Sequence, residues 1–343
     1  MSLRAHRWSK KKALPEKVPG VLKNEKGIAL LLVLWILAFL MFMVIEFAYT
    51  MRVETDTVRN LKDETSARYL ARAGINMGLA ELGVDYDIVF KNESGEVTLG
   101  RQEAHDIQSI SVDREFNLGE GHVSYRIEDE EGRLNINTTT REQIKELLFI
   151  TGVETTERDV IADSLLDWRD KNHVFHFNGA EDEYYGSLKE PYGAKDGPFD
   201  TTEELLLLKG VTPAIFYGEG NIPFEFGLDK KSGPSVSRPR YKGLAQYVTV
   251  AGKGKVNLNT ARPTVLDAVL GKGKSMEIQL RRETEGLIDW PKYGGGISSQ
   301  DFSIHATGEV RGMKVMVKAI ARRVPESNTP VVIYWNDEAK ATN

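Results

Sequence analysis

The feature that most constrains this chain is an uncharged apolar run near its N-terminus. Residues Ile28 to Ile45 read "IALLLVLWILAFLMFMVI" and contain no charged side chain. In an α-helix these residues span roughly 27 Å, which is close to the thickness of the hydrocarbon core of a bilayer. The run therefore predicts a helix that crosses a membrane.

Charge on either side of the run predicts its orientation. Residues 1–27 carry eight Lys or Arg against two Glu, a net charge of +6, whereas the rest of the chain carries −11. Basic flanks stay in the cytoplasm, so we expect a single-pass membrane protein with its N-terminus in the cytoplasm and its C-terminal body outside. An acidic body is a poor partner for nucleic acid. The chain has no cysteine, so its stability depends on packing, ions or partners.

The helix is expected to continue beyond the membrane, because no proline occurs between Phe47 and Leu82. Small residues recur in its second half at intervals of four, three and four, namely Ala67, Ala71, Gly74 and Gly78. A stripe of this kind lets a helix lie close to another backbone. A secretory signal would end in a small-x-small cleavage site after the apolar core. Here the notable residue is Gly27, which precedes the core.

The body of the chain alternates strand-like and helix-like patterns, which predicts an α+β fold. The long N-terminal helix is expected to pack on an antiparallel β-sheet, with a large, mainly α-helical domain inserted into that sheet. Arg311-Gly312 predicts the turn of a β-hairpin. The predicted strands are Glu96–Ser111, His122–Ile127, Phe302–Val310, Met313–Ile320 and Val331–Trp335.

An internal repeat frames the middle of the chain. "GRLNINTTTREQIKELL" (Gly132–Leu148) is matched by "GKVNLNTARPTVLDAVL" (Gly254–Leu270). We expect Asn137-Thr138 and Asn259-Thr260 to cap the helices that follow, because their side-chain oxygens accept from free N–H groups of a first turn. The two copies predict strand-to-helix junctions at the entry and exit of the inserted domain.

Two helix pairs are expected inside this frame. Gly152 and Gly210 each follow an apolar helix end and precede a new helix start, which resembles the helix–hairpin–helix pattern. In DNA-binding versions such a turn offers N–H groups to a phosphate. The acidic surroundings favour an interaction scaffold instead.

The most distinctive chemistry lies in an acidic, glycine-rich stretch from Asp167 to Leu205. Carboxylate and carbonyl oxygens on a loop suit Ca²⁺, which takes six to eight oxygen ligands. The alternative is a solvated acidic loop, and the spacing is not that of an EF-hand. His173 and His176 make a zinc site conceivable, but with no cysteine and no His-Glu-x-x-His motif it is disfavoured. The candidate metal ligands are Asp167, Asp170, Glu181, Asp182 and Asp196.

These features together resemble the type IV pilin-like proteins. The shared pattern is a short basic leader ending in Lys-Gly, a continuous apolar helix and a small-residue stripe that leads into a β-rich head. The resemblance implies a processing site between Gly27 and Ile28, where a prepilin peptidase cuts and methylates the new N-terminus. The family usually begins its mature chain with phenylalanine, whereas this chain has Ile28.

A second departure narrows the resemblance. The fifth mature residue of these proteins is usually glutamate, which is thought to pair with the N-terminal amine of the subunit above it. Here that position is Leu32, so the pair is not available. A carboxylate within a bilayer is costly unless it is paired, and a subunit with nothing above it has no use for one. The chain thus resembles the K-class minor pseudopilins of type II secretion systems.

The acidic stretch supports the same resemblance. It reads Asp-Trp-Arg-Asp, then Asn-Gly-Ala-Glu-Asp-Glu-Tyr-Tyr, then Pro-Tyr and Glu-Leu-Leu, as in the K class. The resemblance implies structural Ca²⁺, other minor pseudopilins in a tip complex, the major pseudopilin, the prepilin peptidase and an inner-membrane assembly platform as partners. The predicted parts are a leader (1–27), a transmembrane part (28–50), a pilin-like domain in two parts (51–137 and 241–343) and an inserted domain (138–240).

The expected function is therefore non-enzymatic. We expect a minor pseudopilin that caps and primes the pseudopilus and takes part in the export of folded proteins. The first alternative, a minor pilin of a type IV pilus or DNA-uptake system, predicts a glutamate where this chain has Leu32. The second alternative is a membrane-anchored periplasmic metalloenzyme. We find no nucleophile–base pair, P-loop or dinucleotide motif in a convincing context.

Overall fold

A computed structural model describes most of the chain in two compact units, residues 1–61 and 62–343. The described residues are 25–84, 87–91, 97–103, 106–109, 114–223, 240–284, 286, 288, 290–291, 293–324 and 327–337. Most of the predicted leader lies outside them, as do Glu96 and residues 104–105 and 110–111 of the predicted strand Glu96–Ser111. The described part of that stretch forms two antiparallel strands, Val97–Glu103 and Asp106–Ser109, and not one.

The N-terminal helix is present as predicted. Helix α1 comprises Glu25–Leu82 without interruption. It holds one segment long and apolar enough to cross a membrane by length and composition. Its apolar side chains from Ile28 to Met51 are exposed. This arrangement is consistent with the expected single-pass membrane anchor.

The second unit is built on a five-stranded antiparallel sheet in the order β10-β9-β8-β5-β4. Its strands are β4 (Glu115–Leu118), β5 (Gly121–Asp129), β8 (Asp301–Val310), β9 (Met313–Val324) and β10 (Ser327–Asn336). A three-stranded antiparallel sheet contains β1 (Asp87–Lys91), β2 (Val97–Glu103) and β3 (Asp106–Ser109), and β6 (Leu134–Asn135) pairs in parallel with β7 (Val248–Thr249).

Within this unit, the small-residue stripe packs the C-terminal part of α1 on the sheet. Ala67 and Ala71 are fully buried. A Cβ atom added to Gly308 of β8 would lie 2.0 Å from the carbonyl oxygen of Ala67. Helix and strand backbones are therefore nearly in contact, which only small residues permit. The α+β architecture of a long helix on an antiparallel sheet is thus as predicted.

The helical part forms a second hydrophobic core within the same unit. It contains α2 (Arg141–Ile150), α3 (Thr155–Arg169), α4 (Asp182–Gly186), α5 (Pro213–Tyr217), α6 (Pro263–Leu270) and α7 (Lys272–Thr284). Trp168, Tyr185 and Phe216 are among its buried aromatic side chains. The core also includes Val265 and Ile278, which lie beyond residue 240, because α6 packs against α2. The predicted domain boundaries stay a prediction.

The two copies of the internal repeat fold alike, although they do not cap helices as expected. Asn135 and Asn257 each accept from the N–H two residues ahead, at 2.8 and 2.9 Å. Asn137 and Asn259 then bond the backbone of distant loops. The predicted caps are wrong because the helices begin later: the N-cap of α2 is Thr140, and α6 begins at Pro263 after Arg262.

The two glycine turns lie where the sequence predicts them. Gly152 separates α2 from α3 and has φ of +98°. Gly210 precedes α5 and has φ of +87°. L-residues rarely adopt this region, which explains glycine at both positions.

Candidate metal centre

The predicted metal ligands come from three neighbouring pieces of chain. Asp167 lies in the last turn of α3, and Asp170 is the residue that ends this helix. Glu181 and Asp182 lie at the start of α4. Asp196 belongs to the loop that follows α4. The structure therefore brings together carboxylates that are up to 29 residues apart in the sequence.

Asp167 organises the loop between α3 and α4. Its side chain is fully buried and accepts from the backbone N–H groups of His176 at 3.0 Å and Ala180 at 2.8 Å. The imidazole Nδ1 of His176 also contacts the same carboxylate. A Cβ atom at Gly179 would overlap with an oxygen of Asp167, so glycine is required there. These bonds fold the loop back onto the end of α3.

Glu181 is the most unusual carboxylate of the group. It is 6% exposed, and both of its oxygens are buried without a hydrogen-bond partner. Burial raises its pKa to about 7, and the negative charges of Asp167, Asp196 and Asp170 add to the effect. An unpaired buried carboxylate is costly, so this arrangement indicates a site that a cation would complete.

Asp196 and Asp182 form the other side of the site with His173. Their ligand atoms and those of His173 lie within 4.8 Å of one another, as do those of Asp167, Asp170 and His176. One oxygen of Asp196 is buried without a partner. Asp182 accepts from the N–H of Ala194 at 2.8 Å, which ties the loop to α4.

The five carboxylates lack a compensating basic side chain. Among the residues that the structure describes, none of the five forms an ion pair with Lys or Arg. Lys195 lies in the same loop but forms ion pairs with Asp200 at 2.7 Å and with Glu204 at 2.8 Å. Within the described ranges, the negative charge of these five carboxylates is thus not balanced by an ion pair with Lys or Arg.

This donor set fits a hard divalent cation. Carboxylate oxygens from five residues are the kind of ligand that Ca²⁺ takes. The histidines fit zinc less well, because His173 is 70% exposed and the imidazole Nδ1 of His176 faces a carboxylate oxygen. The role of these residues as ligands stays a prediction.

The sequence analysis did not predict one acidic residue that lies beside these carboxylates. Asp163 is buried one helical turn before Asp167 and accepts from the side-chain amide of Asn178 at 3.0 Å. It also pairs with Arg141 at 2.5 Å. The sequence could have indicated Asp163, because it lies four residues before Asp167 on α3 and this spacing places both carboxylates on one face of the helix.

The predicted processing residues lie at the start of α1. Gly27 is within the helix, and Ile28 and Leu32 are 65% and 56% exposed. Cleavage between Gly27 and Ile28 stays a prediction. Leu32 is part of an apolar surface with no basic or acidic neighbour in the run.

The family comparison covers the start of the sheet and most of the helical part. Residues 116–217 match the family described as type II secretion system (T2SS), protein K. This segment includes every predicted metal ligand.

Two curated proteins are similar in sequence to this chain over most of its length. A type II secretion system protein K of Escherichia coli K12 is 23% identical over 88% of this chain and 85% of its own length. The type II secretion system protein K of Aeromonas hydrophila is 24% identical over 70% of this chain and 69% of its own length.

The fold also matches a solved structure. A chain from the crystal structure of the GspK-GspI-GspJ complex of the enterotoxigenic Escherichia coli type 2 secretion system superposes with a TM-score of 0.54 and 16% identity. The match covers 85% of this chain and all of the other. The resemblance expected from the sequence is thereby confirmed: the chain is similar to type II secretion system protein K over residues 116–217 and, in individual relatives, over 70% to 88% of its length.

Proposed function

We propose that this protein is a non-enzymatic minor pseudopilin at the tip of a type II secretion pseudopilus. It would be a single-pass inner-membrane protein with its C-terminal domain in the periplasm. There it would prime pseudopilus assembly and take part in the export of folded proteins. The observation that carries the proposal is α1, an uninterrupted helix that is apolar and exposed from Ile28 to Ile45 and packed on a sheet through small residues after Lys62.

Leu32 supports the position at the tip. A leucine at this site gives no carboxylate for the amine of a subunit above, and burying an unpaired charge in lipid would be costly. A subunit with Leu32 can still offer its own N-terminal amine to the subunit below. It therefore suits the top of a filament better than the middle.

The expected partners follow from the same assignment. The solved complex contains GspK with GspI and GspJ. By analogy we propose that this chain assembles with the corresponding two minor pseudopilins. The major pseudopilin, the prepilin peptidase and the inner-membrane assembly platform would be further partners.

The acidic site would hold structural Ca²⁺ in this protein. Asp167, Asp170, Glu181, Asp182 and Asp196 would supply oxygen ligands, and the cation would neutralise the unpaired charge of Glu181. Bound there, the cation would join the end of α3 to the start of α4 and to the loop that follows. It would stabilise a fold that has no disulfide.

Mass spectrometry of the mature N-terminus tests the function. In cells with a prepilin peptidase, we expect a chain that begins at a methylated Ile28. A Gly27→Leu variant should keep its leader, because the peptidase of the family cuts after glycine. A Gly20→Leu variant changes another leader glycine and should be processed normally. A wild-type chain that keeps residues 1–27 would contradict the assignment to the pseudopilins.

A further inference from the structure

Lys209 is not one of the predicted metal ligands, yet its side chain ends in the loop that joins them. Its ammonium group, Nζ, donates to the carbonyl oxygen of Gly179 at 3.0 Å and to that of Asn178 at 3.3 Å. The same Nζ lies 4.9 Å from the centre of the Tyr184 ring. Two carbonyl oxygens and an aromatic face all attract an ammonium ion, so this lysine side chain is held in one place.

The backbone around Lys209 rests on α3. Leu208, the residue before it, is buried in the core of the helical part. A Cβ atom added to Gly210, the residue after it, would lie 3.1 Å from the side chains of Val160 and Ile161 on α3. The turn is therefore seated on the same helix whose end carries two of the predicted ligands.

A single peptide group connects Lys209 with the proposed site. The peptide between Gly179 and Ala180 accepts from the ammonium of Lys209 through its carbonyl oxygen, and its N–H donates to the carboxylate of Asp167 at 2.8 Å. A cation at one end and an anion at the other polarise this peptide, so each hydrogen bond strengthens the other. The position of the Asp167 carboxylate thus depends on Lys209.

The residues on either side of this peptide extend the same arrangement. Asn178 donates to the buried Asp163 from its backbone N–H at 3.3 Å and from its side-chain amide at 3.0 Å, while its carbonyl oxygen accepts from Lys209. Glu181, whose buried carboxylate has no hydrogen-bond partner, is the next residue after the peptide. Lys209 therefore helps to fix where the chain enters the proposed site.

The charge of Lys209 alone would not favour a metal ion. A positive charge near the site repels a divalent cation and would weaken its binding. In the part of the chain that the structure describes, the ammonium of Lys209 forms no ion pair with a carboxylate. Any gain in metal affinity from Lys209 must therefore come from its hydrogen bonds to the loop. Because repulsion and positioning change the affinity in opposite directions, an experiment can separate them.

We propose that Lys209 is a positioning residue for the calcium site. Through the peptide between Gly179 and Ala180, it holds Asp167 and Glu181 where a divalent cation can bind them. This role rests on the calcium site of the proposed function and adds to it a residue that contributes no ligand atom.

The calcium affinity of a Lys209→Met variant tests this role. Methionine keeps most of the apolar stem but has no ammonium group to donate. We expect the dissociation constant for Ca²⁺, measured by isothermal titration calorimetry on the full chain in detergent, to rise about tenfold. Lys209→Arg keeps a charged donor and should recover most of the affinity. Lys189→Met, the matched control, removes the charge of an exposed lysine and should not weaken binding.

Melting temperatures separate positioning from a general loss of stability. A positioning role predicts a smaller difference between the melting temperatures in Ca²⁺ and in EGTA for Lys209→Met than for the wild type. If both melting temperatures fall equally and the dissociation constant is unchanged, Lys209 only stabilises the fold and the positioning role is wrong. Tighter binding of Ca²⁺ by Lys209→Met would also contradict it, because repulsion would then dominate.

The wild-type chain distinguishes this role from the proposals on which it rests. A wild type that binds Ca²⁺ with the same affinity as Lys209→Met would overturn the positioning role alone. A wild type that binds no Ca²⁺ would overturn the calcium site and the positioning role together. Neither result would change the assignment to the pseudopilins, which the processing of the N-terminus tests.

Discussion

At the residue scale, the calcium site that we propose depends on Glu181 more than on any other side chain. The sequence predicts five candidate carboxylates, because acidic residues cluster on one glycine-rich stretch, and their role as ligands stays a prediction. It did not indicate which carboxylate would be buried without a partner. That property arises only when α3 and α4 fold together around Asp167. The unpaired burial of Glu181 therefore depends on the tertiary structure and cannot be predicted from composition.

Removal of calcium should lower the stability of the wild-type chain. Saturation at about 100 times the dissociation constant contributes about 2.7 kcal/mol, so we expect EGTA to lower the melting temperature by roughly 5–10 °C. Glu181→Gln should abolish most of this difference, because it removes the charge that the cation neutralises. The measurement is thermal unfolding of the full chain in detergent, with Ca²⁺ or with EGTA.

Glu183→Gln is the matched control for this prediction. Glu183 lies in the same helix turn but is exposed, so its variant should keep the full response to Ca²⁺. A melting temperature of the wild type that does not respond to Ca²⁺ would remove the calcium proposal. A response to Zn²⁺ alone would replace it with the histidine-based alternative.

At the scale of elements, the contact between α1 and β8 was the most predictable part of the fold. Periodic small residues predicted a close helix contact, and alternating strands with a tight turn predicted the hairpin of β8 and β9. The register that places Gly308 against Ala67 was not predictable, because it depends on how the sheet twists under the helix. The helix starts were misplaced because Asn137 and Asn259 bond distant loops instead of the nearest turn.

The substitution Gly308→Ala should destabilise this contact. The new methyl group would lie 2.0 Å from the carbonyl oxygen of Ala67 and 2.7 Å from the backbone nitrogen of Ala71. Neither backbone atom can move without shifting α1, so we expect a loss of about 1–3 kcal/mol in the free energy of unfolding. Urea unfolding, followed by circular dichroism, would measure it.

Gly186→Ala provides the comparison at the end of α4. A methyl group there would meet no atom within 4 Å, so its effect should stay within about 0.5 kcal/mol. Equal midpoints for the two variants would mean that α1 and β8 do not pack as closely as described.

At the scale of the whole second unit, a buried charge cluster joins the sheet to the helical part. Arg133 pairs with Glu128 of β5 and with Glu130, whose other oxygen accepts from Thr249 of β7 at 2.5 Å. Glu130 and Thr249 are 119 residues apart in the sequence. No local pattern predicts such a contact, because it depends on how the long segment between these two residues returns to the sheet.

The cluster should make the stability of this unit depend on acid pH. Burial alone would raise the pKa values of Glu128 and Glu130, but the charge of Arg133, aided by His305 and Arg126 at Glu128 and by Lys318 at Glu130, lowers each to about 2. Both carboxylates titrate below their ordinary value of 4.5 in the folded state. Their contribution to stability is therefore complete above pH 4.5 and is lost as the pH falls toward 2.

Replacement of Arg133 by Met tests this cluster directly. It would leave two buried carboxylates without their main partner, so we expect a loss of roughly 3–5 kcal/mol at pH 7. The deficit should shrink as the pH falls toward 4.5, because the unpaired carboxyls then bind protons in the folded state. Arg126→Met removes a partly exposed partner of Glu128 and should cost much less. Urea unfolding of both variants at pH 8, 7, 6 and 5 would measure this, and a deficit for Arg133→Met that does not change with pH would contradict the ionic role of the cluster.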